Sequence, residues 1–165
     1  MPKPGKPKAR TFAGTAGKIA NLAGHVHPGL QALPAKDAKL IQAEDTRSIR
    51  ASAFLDAAYA GTQPNANRWD YGIAIQHTNR QQEFVYWVET HTGDIGEFEK
   101  LLKKAQWLLE WFKADGKALS TFEKEIVWVS SGSTYLPLND PKRKRMNALG
   151  LRAAGGKLQV KASRP

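Results

Sequence analysis

Asp70, Glu89, His91 and Glu44 are the residues whose types and spacing could do chemistry. Two strand-like runs, Trp69 to Ile75 and Glu83 to Thr90, flank the polar stretch Gln76 to Gln82 and read as a β-hairpin turning at Asn79-Arg80. The register that sets Gly72 against Trp87 and Ala74 against Val85 also sets Asp70 against Glu89. Carboxylates opposed across a strand pair repel each other, so a cation is needed between them. A Mg²⁺ or Mn²⁺ ion is one answer, because such ions take one or two carboxylates together with water and a substrate phosphate. Arg68, on the same side of the hairpin, is the other. His91 shares the side of Glu89 and can accept a proton near neutral pH or ligate a metal. Glu44 lies on the inward stripe of a preceding helix, where a buried acid needs a partner.

The elements that must position these residues follow from pattern. Asp37 to Tyr59 contains no Gly or Pro, begins with a good N-cap, and carries Ile41, Glu44, Ser48, Ala51, Leu55 and Ala58 at spacings of three and four, which predicts a helix. The hairpin has a second apolar side of Tyr71, Ile73, Ile75, Phe84, Tyr86 and Val88, so both faces of its sheet should be covered. Asp94-Ile95-Gly96-Glu97 has the form of a capping box and opens a helix to about Phe112, with a stripe of Phe98, Leu101, Leu102, Ala105, Leu108, Leu109 and Phe112. Glu125 to Ser130 reads as a buried strand, Asp140-Pro141 as the cap of a short helix ending before Gly150, and Leu151 to Ala154 with Lys157 to Lys161 as a terminal hairpin. The expected fold is α/β, a mixed central β-sheet flanked by helices. Residues 1–36 are expected to form a basic, irregular arm, and residues 37–165 a single domain.

Composition narrows the function. The chain has 165 residues and no cysteine, which excludes disulfide frameworks, cysteine-ligated zinc, iron–sulfur clusters and thiol nucleophiles. The net charge of +10 is concentrated at the two ends: every acid lies between Asp37 and Asp140, a segment whose own balance is eleven cations against fifteen acids. An acidic body with basic ends suits a polyanionic partner, nucleic acid above all. No phosphate-binding glycine loop and no Gly-x-Ser-x-Gly elbow occurs. No apolar run approaches the ~20 residues that span a bilayer, and the N-terminus lacks the apolar core of a secretory signal. The expected setting is cytoplasmic, with no membrane partner.

A helix bearing Glu44, a strand bearing Asp70, a strand bearing Glu89 and then an amphipathic helix resembles the core of the PD-(D/E)xK, or restriction-endonuclease-like, nucleases over residues 37–130. The resemblance implies divalent-metal-dependent hydrolysis of phosphodiester bonds in DNA, with Glu44, Asp70 and Glu89 holding Mg²⁺ or Mn²⁺. The family's lysine, which helps orient the attacking water and stabilise the charged transition state, is replaced by His91. Either His91 takes over, helped by Lys103 or Lys104 from the following helix, or catalysis is lost and a nucleic-acid-binding module remains.

Lys142, Arg143, Lys144 and Arg145 place four cations in the first turns of a helix, against its macrodipole. Such a placement suits phosphate contact. Trp107, Trp111 and Trp128 could stack on bases, although aromatics at helical and strand spacing more often belong to a core. A protein-interaction domain with basic tails is the third reading of the same features.

Overall fold

A computed structural model describes residues 10–76, 82–91, 97–130 and 140–161. The fold is mixed α/β. Six strands form one sheet in the order β1 (Val26–Pro28), β3 (Ile49–Phe54), β4 (Tyr71–Ile75), β5 (Phe84–His91), β6 (Lys124–Ser130) and β7 (Leu151–Gly155). The first four pair antiparallel, and β5, β6 and β7 run parallel. A second, two-stranded sheet pairs β2 (Ile41–Ala43) with β8 (Leu158–Val160) in parallel. The helices are α1 (Phe12–Ala16), α2 (Ala35–Ala38), α3 (Leu55–Tyr59), α4 (Phe98–Trp111), α5 (Lys117–Ser120) and α6 (Pro141–Ala148). No helix among the described residues is long and apolar enough to cross a membrane.

The central hairpin has the register read from the sequence: Gly72 pairs with Trp87 and Ala74 with Val85. Alternation along β4 and β5 feeds two cores. Val85, Trp87 and Ala74 meet Phe12, Leu101, Ala105, Leu108 and Trp111 on the α4 side. Tyr71, Ile73, Ile75, Tyr86 and Val88 meet Leu33, Ile41, Leu158 and Val160 on the other. Gly72 is required by the first of these: a Cβ there would stand 2.7 Å from the Trp87 ring.

Three stretches fold differently from their sequence patterns. Asp37 to Tyr59 is not one helix but α2, β2, a 3₁₀ turn over Thr46–Ser48, β3 and α3. Asp45 breaks the run by accepting the Arg47 N–H with its own carboxylate (2.9 Å), the local competition that disfavours Asp inside helices. β3 lies between β1 and β4, and an irregularity between Ile49 and Ala51 sends Ile49 to the second core and Ala51 and Ala53 to the first. The basic stretch before Lys36 is, over its described residues 10–35, packed into the fold: Phe12, Ala16 and Leu22 are fully buried, and Glu83 accepts the Phe12 N–H at 2.7 Å. Its strand β1 includes Pro28, which the sheet edge tolerates. The expected terminal hairpin does not form either. β7 joins β6 in the main sheet, Gly155 turns the chain at φ 80°, and β8 lies against β2, so that Leu158 and Val160 cover the second core. The capping-box residues Asp94 to Gly96 lie outside the described residues.

Candidate active site at the ends of the central hairpin

Asp70 immediately precedes β4, and Glu89 lies near the end of β5. They interlock through each other's strands. The Asp70 N–H donates to Glu89 Oε2 (3.0 Å), and Asp70 Oδ2 accepts from the Thr90 N–H and hydroxyl, both at 3.2 Å. The Asp70 carbonyl accepts the N–H of Leu55 (2.8 Å), which docks the first turn of α3 beside it.

The cation between the two acids is Lys104. It rises from α4 between the buried Leu101, Ala105 and Leu108, so its alkyl stem lies along apolar surface while its ammonium reaches the hairpin. The ammonium contacts Glu89 Oε1 and lies 3.6 Å from Asp70 Oδ1. The Glu89 side chain is 0% exposed, whereas those of Lys104 and Asp70 are 13% and 14% exposed. A small opening therefore reaches Asp70 and Lys104 but not Glu89.

Electrostatics follow from this burial. Glu89 is pushed well above the ordinary carboxylate range, first by desolvation and then by the charge of Asp70, against the opposing pull of Lys104. Asp70 is also raised, by desolvation foremost. For Lys104 burial works against the charged form, but attraction to Glu89 and Asp70 overcomes it, so its pKa lies above the usual lysine value. Two carboxylates facing one ammonium leave a formal charge of −1 when all three are ionised.

Arg68, the alternative cation for this pair, is engaged elsewhere. Its Nε donates to the Asp56 carboxylate (3.0 Å) and carbonyl (3.1 Å), and its Nη1 to the Gln63 carbonyl (2.6 Å). Asp56 reaches it because α3 starts at the Asp70 backbone. Asp56 also adds negative potential at Asp70 and Lys104, an acid that the helix expected over 37–59 concealed.

Glu44 is not brought to the site. It sits exposed in the bend after β2, since the helix that would have carried it inward is absent. Among the described residues no group of three or more His, Asp or Glu side chains could hold a metal. The His91 backbone pairs with Ser130, and its side chain lies outside the described residues. The donor set is thus two carboxylates, Asp70 Oδ1 and Glu89 Oε1, both turned toward Lys104. Their other oxygens accept from the Asp70 N–H and from Thr90, so a divalent ion bound here would have to share these carboxylates with Lys104.

The four cations Lys142, Arg143, Lys144 and Arg145 do lie on one helix, α6, capped by Asp140, whose carboxylate accepts the Lys142 N–H at 2.8 Å. Arg145 forms a two-pronged pair with Glu99 (2.6 and 2.9 Å), and Lys142 and Arg145 lie 5.6 and 5.8 Å over the Phe98 ring. The hydrogen bond to Arg145 holds Glu99 below the usual carboxylate value. The basic helix is therefore fastened to the first turn of α4, the helix that carries Lys104. No protein-family model, curated protein or solved structure matches the chain.

Proposed function

We propose that the protein is a divalent-metal-dependent nuclease that hydrolyses phosphodiester bonds in DNA, working in the cytoplasm without a membrane partner. The observation that carries this reading is the approach of Lys104 to two carboxylates on adjacent strands. It supplies the acid–acid–lysine set of the restriction-endonuclease-like resemblance, with the lysine drawn from α4 in place of position 91. The order of the Asp strand, the Glu strand and the amphipathic helix supports the same reading.

Asp70 and Glu89 would hold Mg²⁺ or Mn²⁺, which supplies a Lewis acid for the phosphoryl oxygen and acidifies bound water. Lys104 provides fixed positive charge beside the phosphate, where negative charge builds up during in-line attack. His91 keeps its role as acceptor of the attacking water's proton on its sequence position alone. The water oxygen bonds to phosphorus, the ester P–O bond breaks, and the leaving alkoxide takes a proton from solvent. Lys142, Arg143 and Lys144 on α6 would contact the phosphate backbone.

A nucleic-acid-binding module without catalysis is the second reading, and one observation favours it: Glu44 stands apart, and Lys104 already balances part of the charge a metal would meet. Incubation of DNA with the protein in Mn²⁺ separates the two. The nuclease cuts, EDTA stops it, and Glu89→Gln leaves binding intact without cutting; salt-dependent binding with no cleavage under any divalent metal selects the module.

A further inference from the structure

Of the five tryptophans, Trp69, Trp87, Trp111 and Trp128 are buried, and Trp107 is half-buried. Its ring lies parallel to Trp111, at an interplanar angle of 10° and 6.4 Å between centroids, with the Tyr59 ring at its edge (5.6 Å, 72°). Its Nε1–H is tied to Gln63 Oε1 at 2.8 Å. The layers beneath are themselves fixed: Trp111 Nε1 donates to the Tyr59 hydroxyl (2.8 Å), which donates to Asp115 (2.9 Å). Trp107 thus lies against a rigid aromatic group, and the half-buried ring keeps part of its π-face exposed.

That face adjoins the candidate site by two routes. Trp107 follows Lys104 by three residues on α4, a rise of about 4.5 Å on the same side of the helix. Gln63, which anchors the indole, is bound through its carbonyl to Arg68, and Arg68 holds Asp56 beside Asp70. An indole with its polar edge already bonded gains nothing from a sugar or phosphate and offers only a π-face, the feature that every nucleobase can match.

Resting on the nuclease reading, we infer that Trp107 is a stacking platform for an unpaired base and that the substrate is single-stranded DNA, with the phosphate beside that base delivered to Lys104. A base held within a duplex is stacked on both faces and cannot use the platform.

Anisotropy titrations of labelled oligo(dT) and of a blunt duplex, run in EDTA with folding checked by circular dichroism, test this whether or not the chain cuts DNA. Trp107→Ala should weaken oligo(dT) binding by roughly 5- to 150-fold, the range for removing one base–aromatic stack, and duplex binding by less than about twofold. Trp107→Phe should keep most of the affinity yet lose most of the tryptophan fluorescence quenching that oligo(dT) produces in the parent. Equal losses on both ligands, or quenching unchanged in Trp107→Phe, would overturn the platform. Cleavage that fails while the single-strand preference tracks Trp107 would overturn the nuclease reading alone.

Discussion

The ammonium of Lys104 contacts the carboxylate of Glu89, a side chain with no exposed surface. An acid so placed is costly to ionise, and the nearest opposing charge comes from a helix fifteen residues further along the chain. Neither residue is explained by its own element: Lys104 sits at the edge of an apolar stripe, and Glu89 points into the α4 side of a sheet otherwise lined by Trp87 and Val85. Their pairing makes α4 part of the site.

Removing the cation should therefore be expensive. Lys104→Met is expected to destabilise the fold by about 3–5 kcal/mol at neutral pH, because an uncompensated buried charge remains. Urea unfolding measures it, and the double variant Lys104→Met/Glu89→Gln should recover at least half of the loss. A single variant within about 0.5 kcal/mol of the parent would mean that Glu89 is neutral there and the pair carries no ionic stabilisation.

The raised pKa of Glu89 also fixes the sign of a pH effect. Between the unfolded pKa of about 4.3 and the raised folded-state value, the folded chain holds a proton that the unfolded chain has released. The resulting stability is complete below the unfolded pKa and is lost as pH rises through the folded-state pKa; Asp70 contributes in the same direction. Melting temperature should accordingly fall from about pH 4.5 upward more steeply in the parent than in Glu89→Gln. Parallel curves would contradict the assignment.

Asp37, whose sequence position suggests a helix N-cap, instead accepts a 2.6 Å hydrogen bond from the Tyr71 hydroxyl, with both residues buried. Burial, followed by this bond to Asp37, raises the phenol above its usual pKa, so it stays a donor across the working pH range. Tyr71→Phe should cost about 1–3 kcal/mol, the penalty of stranding a buried acceptor. Thermal or urea unfolding would show it, and a cost near zero would place the bond on the surface in energetic terms.

On α6 the four cations are not equivalent. Arg145 is committed to Glu99, so replacing Arg145 alone by Ala should change the salt dependence of DNA binding little. Replacing Lys142 and Lys144 together should instead flatten the slope of log K against log salt by roughly 0.7–0.9 for each phosphate no longer neutralised. Fluorescence anisotropy across a salt series reads both. An unchanged slope in the double variant would remove these two lysines from the interface.

What was legible in the sequence was the part governed by local alternation. β4 and β5 carry β-branched and aromatic residues, which mark them as strands, and centring the turn on Asn79-Arg80 gave the register that sets Asp70 beside Glu89. The stripe of α4 was legible for the same reason, and it left Lys104 as one of two helix lysines able to reach the hairpin. Residues 49–54 were not: Ile-Arg-Ala-Ser-Ala-Phe has small residues that suit either period, and only burial between β1 and β4 decides for a strand. The misplacement of Glu44 and the omission of Asp56 are both consequences of that one ambiguity. Pairing of β2 with β8 depends on residues more than a hundred positions apart, beyond any local pattern.

The central claim is that Asp70, Glu89 and Lys104 form a hydrolytic site in which the lysine comes from α4. The rate of Mn²⁺-dependent cleavage of single-stranded DNA by Lys104→Ala and by His91→Ala, each against the parent and each confirmed folded, tests it most directly. Lys104→Ala should lower the rate by at least about 100-fold, the scale for removing one transition-state donor, and more than His91→Ala does. Cleavage by Lys104→Ala at the parental rate, or none by the parent under any divalent metal, would contradict it.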